Sequence, residues 1–89
     1  MFEWDEAKSE TNLRERGFNF EHASRIFASP TVEMDDERTA YDEWRVQAIG
    51  RTGSDILFVV YTWRGENRRI ISARRATRSE RRAYRQIYG

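Results

Sequence analysis

The sequence predicts an α+β fold with two N-terminal helices, an antiparallel β-meander of three to five strands and a C-terminal helix. Apolar residues recur at helical spacing up to Pro30, and from Thr31 onward they alternate with a period of two. A helix start signal follows the last alternating segment, at residues 77–80. Eighty-nine residues without a linker or repeat are expected to form one domain, residues 1–89.

The first predicted helix covers residues 6–16, after residues 2–4, which can form a short strand. Asp5 is placed to cap this helix, and Gly17 supplies the left-handed conformation that ends many helices. The helix is very polar, and its weak inner side is expected to consist of Ala7, Thr11 and Leu13.

The second predicted helix lies within residues 18–30, with Asn19 as its N-cap. Pro30 disfavours helical geometry at the preceding residue and therefore ends the helix. Four apolar residues at helical spacing share one face of it, namely Phe20, Ala23, Ile26 and Phe27.

The strands of the meander are predicted from the alternation of apolar and polar residues, and they cover residues 31–34, 44–49, 56–63 and 68–74. The third of them is continuously apolar, which is typical of a central strand covered on both faces. Strict alternation in the fourth places Ile70, Ser72 and Arg74 on one side.

The closing helix is predicted from a capping box. In this motif the Thr77 hydroxyl covers a free backbone N–H and the Glu80 side chain reaches back to the cap. Ala83 and Ile87 are four residues apart and form the expected inward side, with Tyr84 beside them.

The charge distribution divides the chain into two halves. Residues 1–43 carry twelve acidic and five basic side chains, whereas residues 44–89 carry three acidic and eleven basic ones. Lys8 is the single lysine, and arginine is the cation suited to bidentate phosphate contacts and to stacking on bases. The basic half therefore indicates a nucleic-acid partner. The alternative is a dipolar surface without a partner, with an arginine content set by the genome.

Several classes of chemistry are excluded by the residues present. The chain has no cysteine for a zinc thiolate site, and His22 is its one histidine, so no two-histidine acid–base pair exists. The acidic cluster at residues 33–37 fits no metal-ligand motif, so no metal and no cofactor are expected. The longest apolar run, residues 56–61, is far shorter than the ~20 residues that span a bilayer, and the acidic start is unlike a signal peptide. We expect a cytoplasmic protein without a membrane partner.

Arginine, tyrosine, tryptophan and glutamate together can support RNA cleavage without a metal. The 2′-hydroxyl attacks the adjacent phosphorus, and arginines fixed on strands stabilise the charge that develops on the phosphate oxygens. Aromatic rings stack the neighbouring bases. Because arginine stays protonated, the candidates for the general base are Glu43, Glu80, Tyr61, Tyr84 and the remote His22. The pKa of a tyrosine among several arginines is expected to fall.

Three stretches stand in order along the chain: "WDEAKSETNLRERGFNFEHASRIF", "EWR" and "YTWRGENRRIISARRATRSERRAY". Together they resemble the BrnT family of bacterial ribonuclease toxins, the toxin half of type II toxin–antitoxin pairs. The most specific parts are Trp4-Asp5 followed by Lys8 and Asn12, and the "RIISARRAT" segment with the Glu-Arg and Tyr that follow it.

This resemblance implies a RelE-like fold and metal-independent RNA cleavage in the cytoplasm, which inhibits translation and growth. It also implies a cognate BrnA-type antitoxin, which neutralises the toxin in a hetero-oligomer. That antitoxin would carry a DNA-binding part, so operator DNA would be bound only through it.

The expected catalytic residues are Arg64, Arg74, Tyr84 and Glu43, of which Arg64 and Arg74 are expected to contact the scissile phosphate. Tyr84 is expected to face the groove together with Arg81 or Arg85. The residues expected to bind RNA are Arg45, Trp63, Arg69, Arg75, Arg81 and Arg85.

The chain departs from the family pattern after the first helix, where Glu15-Arg16-Gly17 stands in place of lysine-histidine-glycine. Arg16 cannot replace a histidine as a base. Two other functions stay open, because binding and cleavage would use the same arginines. One is a module that binds RNA or an antitoxin without cutting, and the other is an arginine-rich structural domain that serves a protein partner.

Overall fold

A computed structural model of the chain describes residues 1–36 and 43–89. The elements in chain order are β1 (Phe2–Trp4), α1 (Glu6–Arg16), α2 (Phe20–Ser24), a 3-10 helix (Arg25–Ala28), β2 (Val32–Asp35), β3 (Arg45–Thr52), β4 (Asp55–Arg64), β5 (Asn67–Arg75) and α3 (Arg78–Tyr88). The strands form one sheet in the order β1-β5-β4-β3-β2. β1 pairs with β5 in parallel, and the other pairs are antiparallel.

The predicted arrangement of two N-terminal helices before an antiparallel meander is wrong. The chain begins with a strand, and the sheet is mixed because β1 joins its far edge parallel to β5. Only α1 is a helix of regular length in this part of the chain, since α2 has five residues and continues as the 3-10 helix. A three-residue strand shows almost no alternation, and its partners begin at Arg68, so local patterns could not reveal this pairing.

The N-terminal helix is attached by hydrogen bonds and not by an apolar stripe. Asp5 caps α1 and Gly17 ends it with a φ of 85°, as predicted. The predicted inner side is wrong, because Ala7 and Leu13 are exposed and the buried residues are Ser9 and Asn12. The Phe20 N–H donates to Ser9 Oγ at 3.0 Å, and Asn12 Nδ2 donates to the Phe18 carbonyl at 2.9 Å.

The two faces of the sheet pack differently. On the covered face, apolar residues of β3, β4 and β5 form a core with α2 and the 3-10 helix: Phe18, Phe20, Ala23, Ile26, Val46, Ala48, Leu57, Val59, Tyr61, Ile70 and Ala73. On the groove face, a smaller cluster lies beneath α3: Ile49, Ile56, Phe58, Val60, Ala76 and Tyr84. Among residues 1–36 and 43–89, no other helix covers the groove face.

A β-bulge in β5 determines which side chains reach the groove face. Val60 pairs with Ser72 and Tyr61 with Ile70, so the ladder skips Ile71. As a result Ile70 lies in the covered core, whereas Ser72 and Arg74 line the groove face. The prediction that all three share one side is therefore wrong, because strict alternation does not hold across a bulge.

The closing helix has the predicted capping box, in which Thr77 and Glu80 each satisfy the other's backbone N–H. Its predicted inward side is wrong. Ala83 is exposed and Ile87 is 61% exposed, whereas Tyr84 is 4% exposed and packs in the cluster of the groove face. The helix is turned by about one residue, or roughly 100°, from the predicted orientation.

Candidate nucleic-acid interface

An open groove lies on the groove face beside the start of α3. It has a volume of about 400 Å³ and is lined by Arg16, Gln47, Phe58, Val60, Ser72, Arg74 and Glu80. We call it the sheet groove. Strand pairing explains its floor, because Gln47, Val60 and Ser72 stand opposite one another on three adjacent strands. Phe58 and Arg74 form the neighbouring row.

Arg74 is the most firmly held cation of the sheet groove. Its two terminal nitrogens donate to the two carboxylate oxygens of Glu80 at 2.8 and 3.0 Å, and its guanidinium lies 4.0 Å from the centroid of the Phe58 ring. The hydrogen bond from Arg74 lowers the pKa of Glu80, while the same bond raises the pKa of Arg74. The arrangement fixes a planar guanidinium at the groove wall, and guanidinium binds a phosphate with two donors in the same way as it binds the Glu80 carboxylate.

Arg45 and Arg69 form a second cationic row on the groove face. Both stand opposite Thr62, one on each side, four residues along β4 from Phe58 and thus about 13 Å away. Arg45 pairs with Glu43 at 2.7 Å, and Arg69 pairs with Glu3 at 3.5 Å. At this distance the second row and Arg74 cannot contact the same phosphate group.

Arg64 does not meet Arg74. It ends β4 opposite Asn67, six residues from Phe58 and therefore about 20 Å along the sheet. One phosphate group cannot span that distance. The sheet brings Arg74 together with Glu80 instead, and it leaves Arg64 exposed at the far end.

Trp63 and Arg75 lie on the covered side of the sheet. Trp63 packs edge-on against Tyr61, and the Arg68 guanidinium lies 4.7 Å from the centroid of the Trp63 ring. The Arg75 guanidinium stands 5.3 Å from the centroid of the Phe18 ring. Neither predicted RNA-binding residue shares the sheet groove with Arg74.

The three residues predicted on α3 also separate. Tyr84 is buried, and its ring packs 5.3 Å from that of Tyr88. Arg81 donates to the Ala76 carbonyl at 2.7 Å, which anchors the start of the helix. Arg85 is exposed and lines an outer, arginine-rich surface of α3. Tyr84 therefore acts as the packing residue of α3 in this structure.

The candidates for the general base occupy different places. His22 is on α2, 3.7 Å from Asp55, in a separate small pocket. Burial and the hydrogen bond to Glu33 raise the pKa of Tyr61, contrary to the predicted fall. Glu43 stands with Arg45 in the second cationic row. Of the five candidates, Glu80 alone lines the sheet groove.

The structure adds Arg16 to the site. It ends α1, and its Nη1 donates to the Asn12 side chain at 3.1 Å and to the Ala73 carbonyl at 3.0 Å, which brings the guanidinium to the groove wall next to Arg74. A sequence signal for this existed. Ser9, Asn12 and Arg16 recur at helical spacing and mark a polar inner side of α1, where the weak apolar residues were expected.

Within the described ranges, 1–36 and 43–89, no three potential metal-ligating side chains come together. In the acidic cluster, Glu33 accepts from the Tyr61 hydroxyl at 2.7 Å and Asp35 accepts from Trp44 Nε1 at 3.2 Å. Glu37, the last residue of the cluster, lies outside the described residues. Among the helices that the structure describes, none has the length and apolar character needed to cross a membrane.

Comparison with known proteins identifies the family. No curated protein matches the chain. The family model described as "Ribonuclease toxin, BrnT, of type II toxin-antitoxin system" matches residues 4–80, a range that includes α1, Arg74 and Glu80 at the sheet groove. This confirms the predicted family. The chain belongs to the BrnT family of ribonuclease toxins of type II toxin–antitoxin systems.

Proposed function

We propose that the protein is an endoribonuclease that cuts RNA in the sheet groove without a metal ion, and that this cleavage inhibits translation and growth in the cytoplasm. The observation that carries the proposal is the Arg74 guanidinium, which Glu80 and Phe58 fix at the wall of an open groove. A preorganised cation stabilises the charge that develops during phosphoryl transfer without having to reorganise.

The reaction needs no external reactant. The 2′-oxygen of the RNA bonds to phosphorus while the bond from phosphorus to the 5′-oxygen breaks. The products are a 2′,3′-cyclic phosphate and a 5′-hydroxyl. The 2′-hydroxyl gives its proton to a base, and the departing 5′-oxygen takes a proton from the protonated base or from solvent water, so no net proton is consumed. Arg74 stabilises the negative charge on the non-bridging oxygens between these events.

Glu80 is the base that we propose for this reaction. In the free protein its pKa is lowered, chiefly by the hydrogen bond from Arg74, so it is ionised but weakly basic. A phosphate bound to Arg74 competes for the same guanidinium donors. When this hydrogen bond is weakened, the pKa of Glu80 rises toward its ordinary value, which makes the carboxylate a better proton acceptor.

Arg45 and Arg69 are proposed to bind the RNA strand beyond the cleaved bond. They stand on either side of Thr62, in the row of residues next to the groove floor. Each already forms an ion pair, Arg45 with Glu43 and Arg69 with Glu3. Phosphate oxygens can replace those carboxylates, since guanidinium binds both groups in the same bidentate manner.

The partner of this family of toxins is an antitoxin, and we propose that it is of the BrnA type, forms a hetero-oligomer with this chain and contacts operator DNA itself. The arginine-rich half of the chain supports an acidic partner segment by charge complementarity. Copurification of this chain with the product of a neighbouring short gene would test this proposal.

The proposed cleavage is tested with purified protein and a single-stranded RNA in excess EDTA. We expect cleavage at the same rate with and without magnesium, and products that end in a 2′,3′-cyclic phosphate and a 5′-hydroxyl. Abolition by EDTA with recovery on adding magnesium would contradict metal-independent cleavage. Products with a 3′-hydroxyl would rule out attack by the 2′-oxygen.

A non-catalytic module that binds RNA or antitoxin is the second candidate. It is favoured by the lowered pKa of Glu80 and by the absence, in the described part of the sheet groove, of a second carboxylate, imidazole or phenol. This candidate predicts that RNA binds but stays intact over long incubation, whereas the proposed enzyme cuts it.

A further inference from the structure

The sheet groove continues into a second groove. The second one runs beside α1, has a volume of about 320 Å³ and is lined by Asp5, Ala7, Lys8, Thr11, Asn12, Glu15, Arg16, Phe20, Ile71 and Ser72. We call it the α1 groove. Arg16 and Ser72 line both grooves. The junction lies at the bulge of β5, just past Ile70, the last residue of β5 that pairs with β1.

Arg16 stands at this junction with donors to spare. Both hydrogens of its Nη1 are directed to oxygens, those of the Asn12 side chain and the Ala73 carbonyl. A guanidinium has five N–H donors, so the three on Nη2 and Nε are left to contact a ligand. These nitrogens form the fork that matches two oxygens of a phosphate.

Arg16 differs in its ion pairing from the arginines of the groove face. The arginines Arg45, Arg69 and Arg74 each pair with a glutamate. In the described ranges Arg16 forms no such ion pair, and its side chain is exposed. An arriving phosphate would have to displace a carboxylate at the other three arginines but not at Arg16.

The guanidinium is also held in place before any ligand arrives. Asn12 is buried and bridges Arg16 to the Phe18 carbonyl, while Arg75 donates to the Arg16 carbonyl at 2.9 Å. A long side chain fixed in this way loses less freedom when it binds a ligand.

We propose that Arg16 is a phosphate-binding residue that joins the sheet groove and the α1 groove into one path for a single RNA strand, with Asn12 as its positioning residue. The inference rests on the proposed RNA substrate. An RNA strand held at Arg74 passes Arg16 over the edge of β5 and continues along α1. A strand has a phosphate at every nucleotide, so contacts at successive positions add to affinity and to its salt dependence.

The first test measures binding of a fully 2′-O-methylated single-stranded RNA, which cannot be cut by its own 2′-oxygen. Arg16→Ala and Arg16→Gln are expected to weaken binding about 10- to 100-fold and to reduce the slope of log affinity against log salt by about 0.7. Arg16→Gln keeps a donor for the Ala73 carbonyl, so it covers the case in which Arg16→Ala does not fold.

Arg14→Ala is the matched control, because Arg14 is an exposed arginine of α1 that lines neither groove. Arg16 variants that bind RNA like Arg14→Ala would overturn this inference and leave the proposed cleavage intact. A wild-type protein that neither binds nor cuts RNA would instead overturn the proposed function itself.

The second test uses the absence of cysteine from the chain, which makes any introduced thiol unique. Ala7→Cys places a thiol in the α1 groove, and Glu10→Cys places one on the exposed side of the same helix, outside both grooves. RNA with thiol-reactive groups along its backbone is expected to cross-link to Ala7→Cys well above Glu10→Cys, and Arg16→Ala is expected to reduce that yield. Equal yields at the two positions would overturn the path along α1.

Asn12 is tested through its coupling to Arg16. Asn12→Ala is expected to weaken RNA binding when Arg16 is present and to have no further effect in the Arg16→Ala background. Additive effects in this double-mutant cycle would show that Asn12 does not act through Arg16.

Discussion

The covered face and the groove face of the same sheet differ in what they do. The covered face packs against α2 and the 3-10 helix, and five residues of the core between them are essentially inaccessible: Ala23, Ile26, Ala48, Leu57 and Val59. Among the described residues, α3 covers one end of the groove face, and beyond α3 that face displays Gln47, Ser72 and a set of glutamate-paired arginines.

The difference shows how a chain of this size builds a packed core on one face of its sheet and an open, charged surface on the other. Successive residues of a strand point to opposite faces, so β3, β4 and β5 supply both surfaces from alternate positions. Arg74 and Arg75 are neighbours in the chain, yet Arg74 lines the sheet groove, whereas Arg75 contacts Phe18 on the covered face. Substitutions on the covered face should therefore change the stability of the fold, and substitutions in the groove should change RNA binding or cleavage.

Tyr84 gives the largest expected effect and is the exception to this separation, because it lies on the groove face but is buried. Tyr84→Ala is expected to lower the free energy of unfolding by about 3–5 kcal/mol, the usual cost of removing a buried aromatic ring. Tyr84→Phe keeps the ring and should change the melting temperature little. A large fall in cleavage by folded Tyr84→Phe would show instead that the hydroxyl takes part in the reaction.

Arg74→Ala is expected to slow RNA cleavage by about 10²–10³-fold, or roughly 3–4 kcal/mol, because one preorganised donor is lost. Single-turnover cleavage of a labelled RNA measures the effect, and circular dichroism checks that the fold is kept. Arg25→Ala is the control, since Arg25 is an exposed arginine of the 3-10 helix on the opposite side of the sheet. Equal rates for the two variants would remove Arg74 from the reaction.

Gly50 tests how tightly the covered face is packed. A Cβ at this position would lie 2.8 Å from Ile26 Cβ and 2.9 Å from Thr31 Cγ2, closer than real carbon contacts. Gly50→Ala is expected to cost about 1–3 kcal/mol in chemical denaturation, as overpacked cores do. The folded variant should still bind RNA. Unchanged stability would mean that the 3-10 helix, which carries Ile26, can move away from the sheet at little cost.

Glu80→Gln gives the smallest expected effect on stability and tests the charge of the pair with Arg74. The pKa of Glu80 is lowered in the folded protein, so its ionisation contributes stability above the unfolded value of about 4.3. That contribution disappears as the pH falls through the folded pKa. We expect Glu80→Gln to be less stable than the wild type by at most about 1 kcal/mol at pH 7, because the pair is partly exposed.

The two stability curves should converge as the pH falls below about 4. Glutamine can still complete the capping box, so the comparison isolates the charge. A stability difference that stays constant down to low pH would mean that the glutamate acts through its shape and not through its charge. Cleavage by the same variant tests the proposed base, and a wild-type cleavage rate would exclude Glu80 from that role.

Signals that act within a few residues were predicted correctly. Asp5 and Asn19 cap their helices, Gly17 ends α1, and Thr77 and Glu80 form the capping box. The inner sides of α1 and α3 were predicted wrongly. α1 has no apolar stripe, and among the clustered apolar residues of α3 it is Tyr84, and not Ala83 or Ile87, that is buried. α1 is held by Ser9 and Asn12, and α3 by Tyr84, so the apolar count at helical spacing favoured the wrong residues.

The candidate site was predicted in its residue types more than in its geometry. The resemblance led to Arg74 and Glu80, which the structure joins. It also led to Arg64, which stands at the far end of the sheet. Trp63 and Arg75, which were expected to bind RNA, lie on the covered side. Arg16 was not predicted to contact a ligand, because it was considered only as a substitute for a histidine base. Its place at the groove depends on a tertiary contact, the hydrogen bond to the Ala73 carbonyl.

The sequence by itself determined the family, the helix ends, the strand pattern and the supply of arginine without cysteine, because each follows from residue identity or from spacing over a few positions. The tertiary structure alone decided the parallel pairing of β1 with β5 and the bulge after Ile70. It also decided which arginines line the same groove, namely Arg16 and Arg74. The pairing of β1 depends on contacts between residues more than sixty positions apart. The bulge adds one unpaired residue to β5, and this changes which side chains of the strand point to which face of the sheet. Spacing over a few residues does not encode either feature.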